Sequence, residues 1–224
     1  MDQKQFAELL AALGHTKWTE TVSTLVLIVS FIIAIFSLWY ARKQMIADHT
    51  RSRRQLSIDM CMRWSNYTSP ETSSVVRLVE RMTSDQCEAI SNATKLTIST
   101  DHKLHLLNIL QLRFPEFADE LEKMNKSSAY EIEGQYLQYI RHIAIRYLNM
   151  LESILLAWTT GVADQAILEN EFAYLFDEKD GRSAMEGLRK KVGMSTFPAI
   201  EEFMKALRAR TASGRKEIIR PPVT

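Results

Sequence analysis

An uninterrupted apolar segment near the N-terminus constrains this chain more than any other feature. Residues 21–41 contain no charged side chain, and Glu20 and Arg42 bracket them. A helix of that length rises about 30 Å, which matches the hydrocarbon thickness of a bilayer. Trp39 and Tyr40 at its C-terminal end fit the aromatic belt of a membrane interface. The segment therefore predicts one transmembrane helix.

Two other interpretations of this segment fit less well. A cleavable signal peptide has a shorter apolar core, which follows a basic region, whereas here the basic residues follow the apolar run. A buried helix of a soluble protein normally keeps one polar face. A second span within 143–163 is an alternative that the sequence leaves open, although polar and charged residues interrupt that stretch.

The distribution of basic residues predicts the orientation of the span, because Lys and Arg are retained on the cytoplasmic side. Lysines 4 and 17 precede the apolar segment, and a larger basic cluster follows it, formed by Arg42, Lys43, Arg51, Arg53 and Arg54. We expect the N-terminus outside the membrane and the rest of the chain in the cytoplasm. We also expect these five side chains to contact anionic lipid headgroups.

The pattern after residue 41 is helical almost throughout and contains no alternating run long enough for a sheet. It predicts an all-α fold, in which one N-terminal transmembrane helix continues into a stalk and then into a cytoplasmic helical bundle. The expected regions are an external N-terminal tail at 1–20, the transmembrane helix at 21–41, a basic juxtamembrane stalk at 42–65, a cytoplasmic helical domain at 66–209 and a basic flexible tail at 210–224.

Several residues in the cytoplasmic part signal where helices begin and end. Pro70 and Pro198 are expected to start helices, since proline suits the first turn. The longest cytoplasmic helix is predicted over 129–158 and is followed by Gly161, placed where a left-handed residue ends a helix. Asp164 is expected to cap the next helix.

Three serines, Ser23, Ser30 and Ser37, recur every seven residues within the apolar segment. Small hydroxyl residues at this spacing lie on one stripe of a helix, where they let helices pack closely or line a wet path. A single helix cannot form a pore, so a permeabilising role requires a homo-oligomer. The plainer alternative, that these hydroxyls have no specific role, stays open.

A second polar set lies on the longest cytoplasmic helix. Arg146, Asn149 and Glu152 stand at positions i, i+3 and i+6 of a mostly apolar stretch, so at least two of them can meet inside the domain. Buried charged groups are normally paired. The spacing predicts a buried polar clamp that sets helix register, with a ligand site as the alternative.

Catalytic and metal-binding patterns are weak. The sequence has no glycine-rich phosphate loop and no nucleophile elbow, and two histidines at 102 and 105 lack the further ligands of a metal site. Cys61 and Cys87 belong to no paired-cysteine motif. We expect no catalytic residue, metal, cofactor or small-molecule substrate.

The segment 139–176, YIRHIAIRYLNMLESILLAWTTGVADQAILENEFAYLF, resembles the signature of a family of uncharacterised bacterial proteins with one N-terminal span and a cytoplasmic helical domain. Leu148, Asn149 and Glu152, and the turn from Gly161 to Asp164, carry this resemblance. The layout of the chain also resembles the transmembrane effectors of retron and RNA-guided CRISPR antiviral systems.

The second resemblance implies an effector that disturbs the inner membrane and causes abortive infection. Its implied partners are the lipid bilayer, further copies of the chain, and a regulator such as a reverse transcriptase with its RNA–DNA product or another defence-system component. The alternative is a membrane-tethered helical binding module, which recruits a soluble partner through the acidic middle of the chain. A membrane-bound hydrolase is the least favoured class, because no site for it can be named.

Overall fold

The computed structural model describes residues 3–123, 129–177 and 180–212. Nine α-helices are seen in these ranges, joined in places by short 3-10 turns: α1 Gln3–Tyr67, α2 Pro70–Glu80, α3 Ser84–Asn92, α4 Lys103–Leu110, α5 Pro115–Lys123, α6 Gly134–Thr159, α7 Gln165–Phe172, α8 Glu186–Val192 and α9 Pro198–Ala212. The 3-10 turns are Thr100–His102, Ala173–Phe176 and Met194–Thr196. The prediction of a mainly helical chain is confirmed.

Two short strands add a small sheet that the sequence pattern does not predict. Strand β1, Leu96–Ile98, pairs antiparallel with β2, Tyr130–Ile132, so that Leu96 faces Ile132 in register. Each strand has only three residues, which is too short for alternation to be recognised in a sequence.

Contacts divide the chain into two compact units, Met1–Ser52 and Arg53–Thr224. The boundary falls inside the predicted stalk. In the first unit, every described residue belongs to α1, including those of the predicted external tail. Every residue from Thr21 to Thr50 is exposed. Among the described residues, one helical stretch, Glu20–Tyr67, is long and apolar enough by length and composition to cross a membrane.

The end of α1 belongs to the second unit, and local chemistry explains where it stops. The helix ends at Tyr67, three residues before Pro70, which is predicted to start the next helix. Ser69 has an extended backbone, and its hydroxyl accepts a hydrogen bond from Thr72 N at 3.1 Å. Pro70 occupies the first turn of α2, where its missing N–H costs nothing.

Helix α6 is the central element of the second unit, and it packs against α2, α3, α7 and α9. One of its faces is buried, including Leu148, Leu151 and Leu155. The aromatic ring of Trp64 lies 4.9 Å from that of Tyr147 on this face. The stretch offered as a second membrane span therefore contributes to the core of the second unit.

Left-handed backbone occurs at several turns, and two of these turns flank elements discussed below. Gly161 has φ of 66° after the end of α6, which confirms its predicted place. Before α8, the successive non-glycine residues Ala184 and Met185 have φ of 45° and 56°. Side chains with a Cβ rarely adopt this conformation, and each such residue costs on the order of 1–3 kcal/mol. The surrounding structure must therefore hold the second turn in place.

Candidate functional site

The serine stripe lies on the exposed apolar part of α1. Ser23, Ser30 and Ser37 are all exposed, and seven residues of α-helix rotate to within about 20° of two full turns. Each interval rises about 10.5 Å, so the stripe runs about 21 Å along the helix, roughly two thirds of a hydrocarbon layer. The stripe is thus a continuous line of small hydroxyls on one face of α1.

Three of the predicted lipid-contacting residues are exposed on the first unit. Lys43 lies over the ring of Trp39, with Nζ 5.6 Å from the ring centroid. Arg51 pairs with Asp48 at 3.9 Å, and Arg42 is exposed. These side chains form an exposed basic girdle directly after the apolar segment. Their contact with headgroups stays a prediction.

The other two members of that basic set make protein contacts in the second unit. Arg53 is half-buried, and its Nη2 donates to the carbonyl oxygen of Ala163 at 3.0 Å. Arg54 forms an ion pair with Asp164 at 3.5 Å. Both contacts reach the turn between α6 and α7. The sequence predicts one lipid-contacting cluster of five basic residues, whereas in the structure Arg53 and Arg54 have partners within the protein.

Ser57 completes this attachment of α1 to the turn between α6 and α7. The side chain is fully buried. Its hydroxyl accepts from Asp164 N at 2.7 Å and lies 3.0 Å from the carbonyl oxygen of Arg53, to which it donates. Asp164 also caps α7 by accepting from Ala166 N at 3.1 Å, which confirms its predicted capping role. One residue therefore joins the start of α7 to the last part of α1.

The three residues of the predicted clamp make separate contacts. Glu152 is half-buried and accepts hydrogen bonds from Ala199 N at 2.8 Å and Ile200 N at 3.0 Å. Arg146 is exposed, with its guanidinium 5.0 Å from the ring centroid of Tyr67. Asn149 is exposed. In the described part of the chain, no hydrogen bond or ion pair joins these three side chains to one another.

The most deeply buried charged group, Arg189 on α8, has no special signal in the sequence. Its guanidinium is fully buried, pairs with Glu201 of α9, and donates to Ala184 O at 3.0 Å and Ser183 O at 3.2 Å. Burial lowers the pKa of Arg189, and Glu201 opposes that effect. Two lysines follow it in the sequence, and nothing in the pattern distinguishes the fully buried cation from these more accessible neighbours.

The second of the two histidines near the start of α4 lies close to cationic side chains. Burial lowers the pKa of His105, and the positive charges of Arg81 and Arg77 lower it further. Cationic neighbours also disfavour a bound metal ion. Across residues 3–123, 129–177 and 180–212, no group of three or more His, Cys, Asp or Glu side chains is arranged to hold a metal.

Both cysteines are thiols held in a protonated form. Cys87 is buried and Cys61 is half-buried. Burial raises the pKa of each thiol, and the nearby Glu171 carboxylate raises that of Cys61 further. Because thiolate is the reactive species, neither environment activates a nucleophile.

Comparison with known proteins finds no matching family model, no similar curated protein and no similar solved structure. The segment that carries the family resemblance, 139–176, forms most of α6, the turn after it and the helical region through Phe176. Membership of that family stays a prediction.

Proposed function

We propose that this protein is a membrane-anchored effector of a bacterial antiviral system, which disturbs the integrity of the inner membrane when it is activated. The observation that carries the proposal is the exposed apolar part of α1, in which no residue of the membrane-span window is buried. An exposed apolar surface of this length is unstable in water and stable in a bilayer. This exposed apolar length supports a protein that acts at a membrane.

The stripe of serines supplies the physical route to permeabilisation. Packing between helices in lipid depends on small residues that allow close approach, because lipid is as apolar as leucine. A line of hydroxyls about 21 Å long gives further copies of α1 such a surface. In an oligomer, the same hydroxyls offer hydrogen-bonding groups to water. We therefore propose that the active form is a homo-oligomer with Ser23, Ser30 and Ser37 at the contact or facing a wet path.

The basic girdle supports the proposed orientation. Arg42, Lys43 and Arg51 are exposed immediately after the apolar segment, and each basic residue near an anionic surface contributes about 1 kcal/mol. In the proposed orientation the second unit lies in the cytoplasm, where we propose that a nucleic-acid or protein component of the same defence system restrains or triggers the effector.

The test is membrane depolarisation and dye entry in bacteria that express the full chain, alone and then with its neighbouring genes during phage infection. The triple variant Ser23→Leu, Ser30→Leu, Ser37→Leu is expected to insert normally and to lose depolarisation. The matched control changes Val22, Val29 and Phe36 to leucine, because these positions have the same spacing on an adjacent face about 100° away. That control is expected to remain active.

Two results would refute parts of the proposal. Equal depolarisation by both triple variants would remove the serine stripe from the mechanism. Silence of the native chain even during infection of cells that carry the whole locus would reject the effector function and favour the membrane-tethered binding module. In that case the chain should capture one specific soluble partner and leave the membrane intact.

A further inference from the structure

A cavity of about 150 Å³ opens in the second unit beside the end of α1. Its walls come from several places in the fold, among them Trp64 near the end of α1, Arg77 on α2, Tyr147 on α6, Tyr174 after α7, and Arg182 in the segment before α8. The space has room for several water molecules, so it admits a small ligand.

The cavity is lined by more positive than negative charge. Arg77 and Arg182 each contribute a guanidinium, and Glu80 contributes the one carboxylate among the lining residues. The Glu80 Oε1 atom accepts a hydrogen bond from Ser183 N at 3.2 Å. Burial raises the pKa of Glu80, and the neighbouring Arg182 guanidinium opposes that effect. A negatively charged ligand would therefore meet a net positive site.

Tyr147 adds a hydrogen-bond donor that no described residue uses. The side chain is 2% exposed and lines the cavity, and its hydroxyl makes no hydrogen bond within residues 3–123, 129–177 and 180–212. Burial raises the pKa of Tyr147, so the phenol stays protonated. The hydroxyl is thus available to donate a hydrogen bond to a ligand in the cavity.

The segment that bears Arg182 is held by strained backbone and by two charged side chains. Ala184 and Met185, the residues with positive φ, follow it almost directly. Glu80 accepts from the Ser183 amide, and the buried Arg189 donates to the Ser183 and Ala184 carbonyl oxygens. Arg182 itself lies 5.4 Å above the ring of Tyr174. The guanidinium is therefore positioned before any ligand arrives, which reduces the entropy lost on binding.

We propose that this cavity binds a small phosphate, either inorganic phosphate or the terminal phosphate group of a metabolite. Arginine donates in a planar fork that matches phosphate oxygens, and Arg77 and Arg182 supply two such groups to one cavity. The Tyr147 hydroxyl donates to a third oxygen. The site is independent of the membrane activity proposed above and belongs wholly to the second unit.

The experiment is a titration of the full chain in detergent micelles with inorganic phosphate at constant ionic strength, followed by calorimetry and by the thermal unfolding midpoint. We expect saturable binding and a rise in Tm that chloride does not produce. Arg182→Gln should abolish binding. Tyr147→Phe, which keeps the packing of the ring, should weaken Kd about tenfold or more, as expected for one lost hydrogen bond to a charged group. The matched control is Arg81→Gln, because Arg81 is exposed one turn from Arg77 and does not line the cavity.

The outcomes of this titration either support or overturn the assignment of the cavity as a phosphate site. Unchanged binding in Arg182→Gln and Tyr147→Phe, or equal loss in Arg81→Gln, would reduce the effect to general surface charge and overturn the proposal. Succinate binding as tightly as phosphate would overturn the choice of phosphate. Tighter binding of glycerol phosphate than of inorganic phosphate would support the proposal and identify the ligand as a phosphate ester, whereas the opposite order would support free phosphate.

Discussion

Replacing Glu152 with alanine should destabilise the second unit through the start of α9. The two oxygens of this carboxylate accept from Ala199 N and Ile200 N at 2.8 and 3.0 Å. These amides belong to the first turn of α9, where the N–H groups have no partner within the helix. Ala199 and Ile200 are themselves buried, so water has little access to the amides once the carboxylate is removed.

The expected magnitude follows from these two bonds. A hydrogen bond to a charged group contributes about 1.5–3 kcal/mol, and a carboxylate near a helix N-terminus gains a further favourable interaction with the helix dipole. Because Glu152 is half-exposed, we take the lower end and expect Glu152→Ala to cost about 3 kcal/mol. For a domain of this size, that loss lowers Tm by about 6–12 °C. Glu152→Gln keeps an acceptor without the charge and should lose about half as much.

The assay is thermal unfolding of the full chain in detergent micelles, followed by tryptophan fluorescence. Asn149→Ala is the matched control, because Asn149 lies nearly one turn earlier on α6, is exposed, and should change stability by no more than about 0.5 kcal/mol. A Tm for Glu152→Ala within 2 °C of the Asn149→Ala value would refute the capping role and the reasoning built on it.

Three further predictions concern the second unit. Arg189→Met should cost about 3 kcal/mol or more, since it leaves the Glu201 carboxylate and two backbone carbonyls without their donor; an unchanged Tm would contradict this. Ser57→Ala should cost about 1–2 kcal/mol by removing the acceptor for the Asp164 amide, and a neutral effect would show that this contact is dispensable. Cys61 has a raised pKa, so less thiolate is present at a given pH. Its alkylation, followed by mass spectrometry, should be slower than that of an exposed peptide thiol at pH 8 and should keep rising at higher pH; equal rates at pH 8 would contradict the burial of the thiol.

Helix boundaries that depend on backbone chemistry could be predicted from the sequence. The start of α2 at Pro70, the start of α9 at Pro198 and the left-handed Gly161 all lie where expected. Proline and glycine act through their own φ preferences, so their effect does not depend on distant residues. Asp164 behaves in the same way, because an N-cap bonds to amides two or three residues later.

The beginning of α6 could not be predicted from the local sequence pattern. The predicted helix starts at residue 129, whereas the structure forms β2 at Tyr130–Ile132 and begins α6 at Gly134. Strand β2 exists because it pairs with β1, more than thirty residues earlier in the chain. Leu96 and Ile132 are both buried. Pairing with β1 therefore overrides the helical pattern of residues 130–132. The sequence of these residues does not indicate that β1 is their partner.

The contacts of charged side chains in the second unit are even harder to predict from the sequence. The spacing of Arg146, Asn149 and Glu152 on α6 predicts partners within the same helix, but Glu152 bonds to α9, 47 residues later. Arg189 is buried because α9 brings Glu201 to it and because a strained turn directs two carbonyls toward it. In both cases the partner that stabilises a buried charge is chosen by how helices pack. The periodicity of apolar residues in a sequence shows which face of a helix is buried. The role of a charged residue on that face depends on which part of another helix packs against it, and the periodicity does not show that.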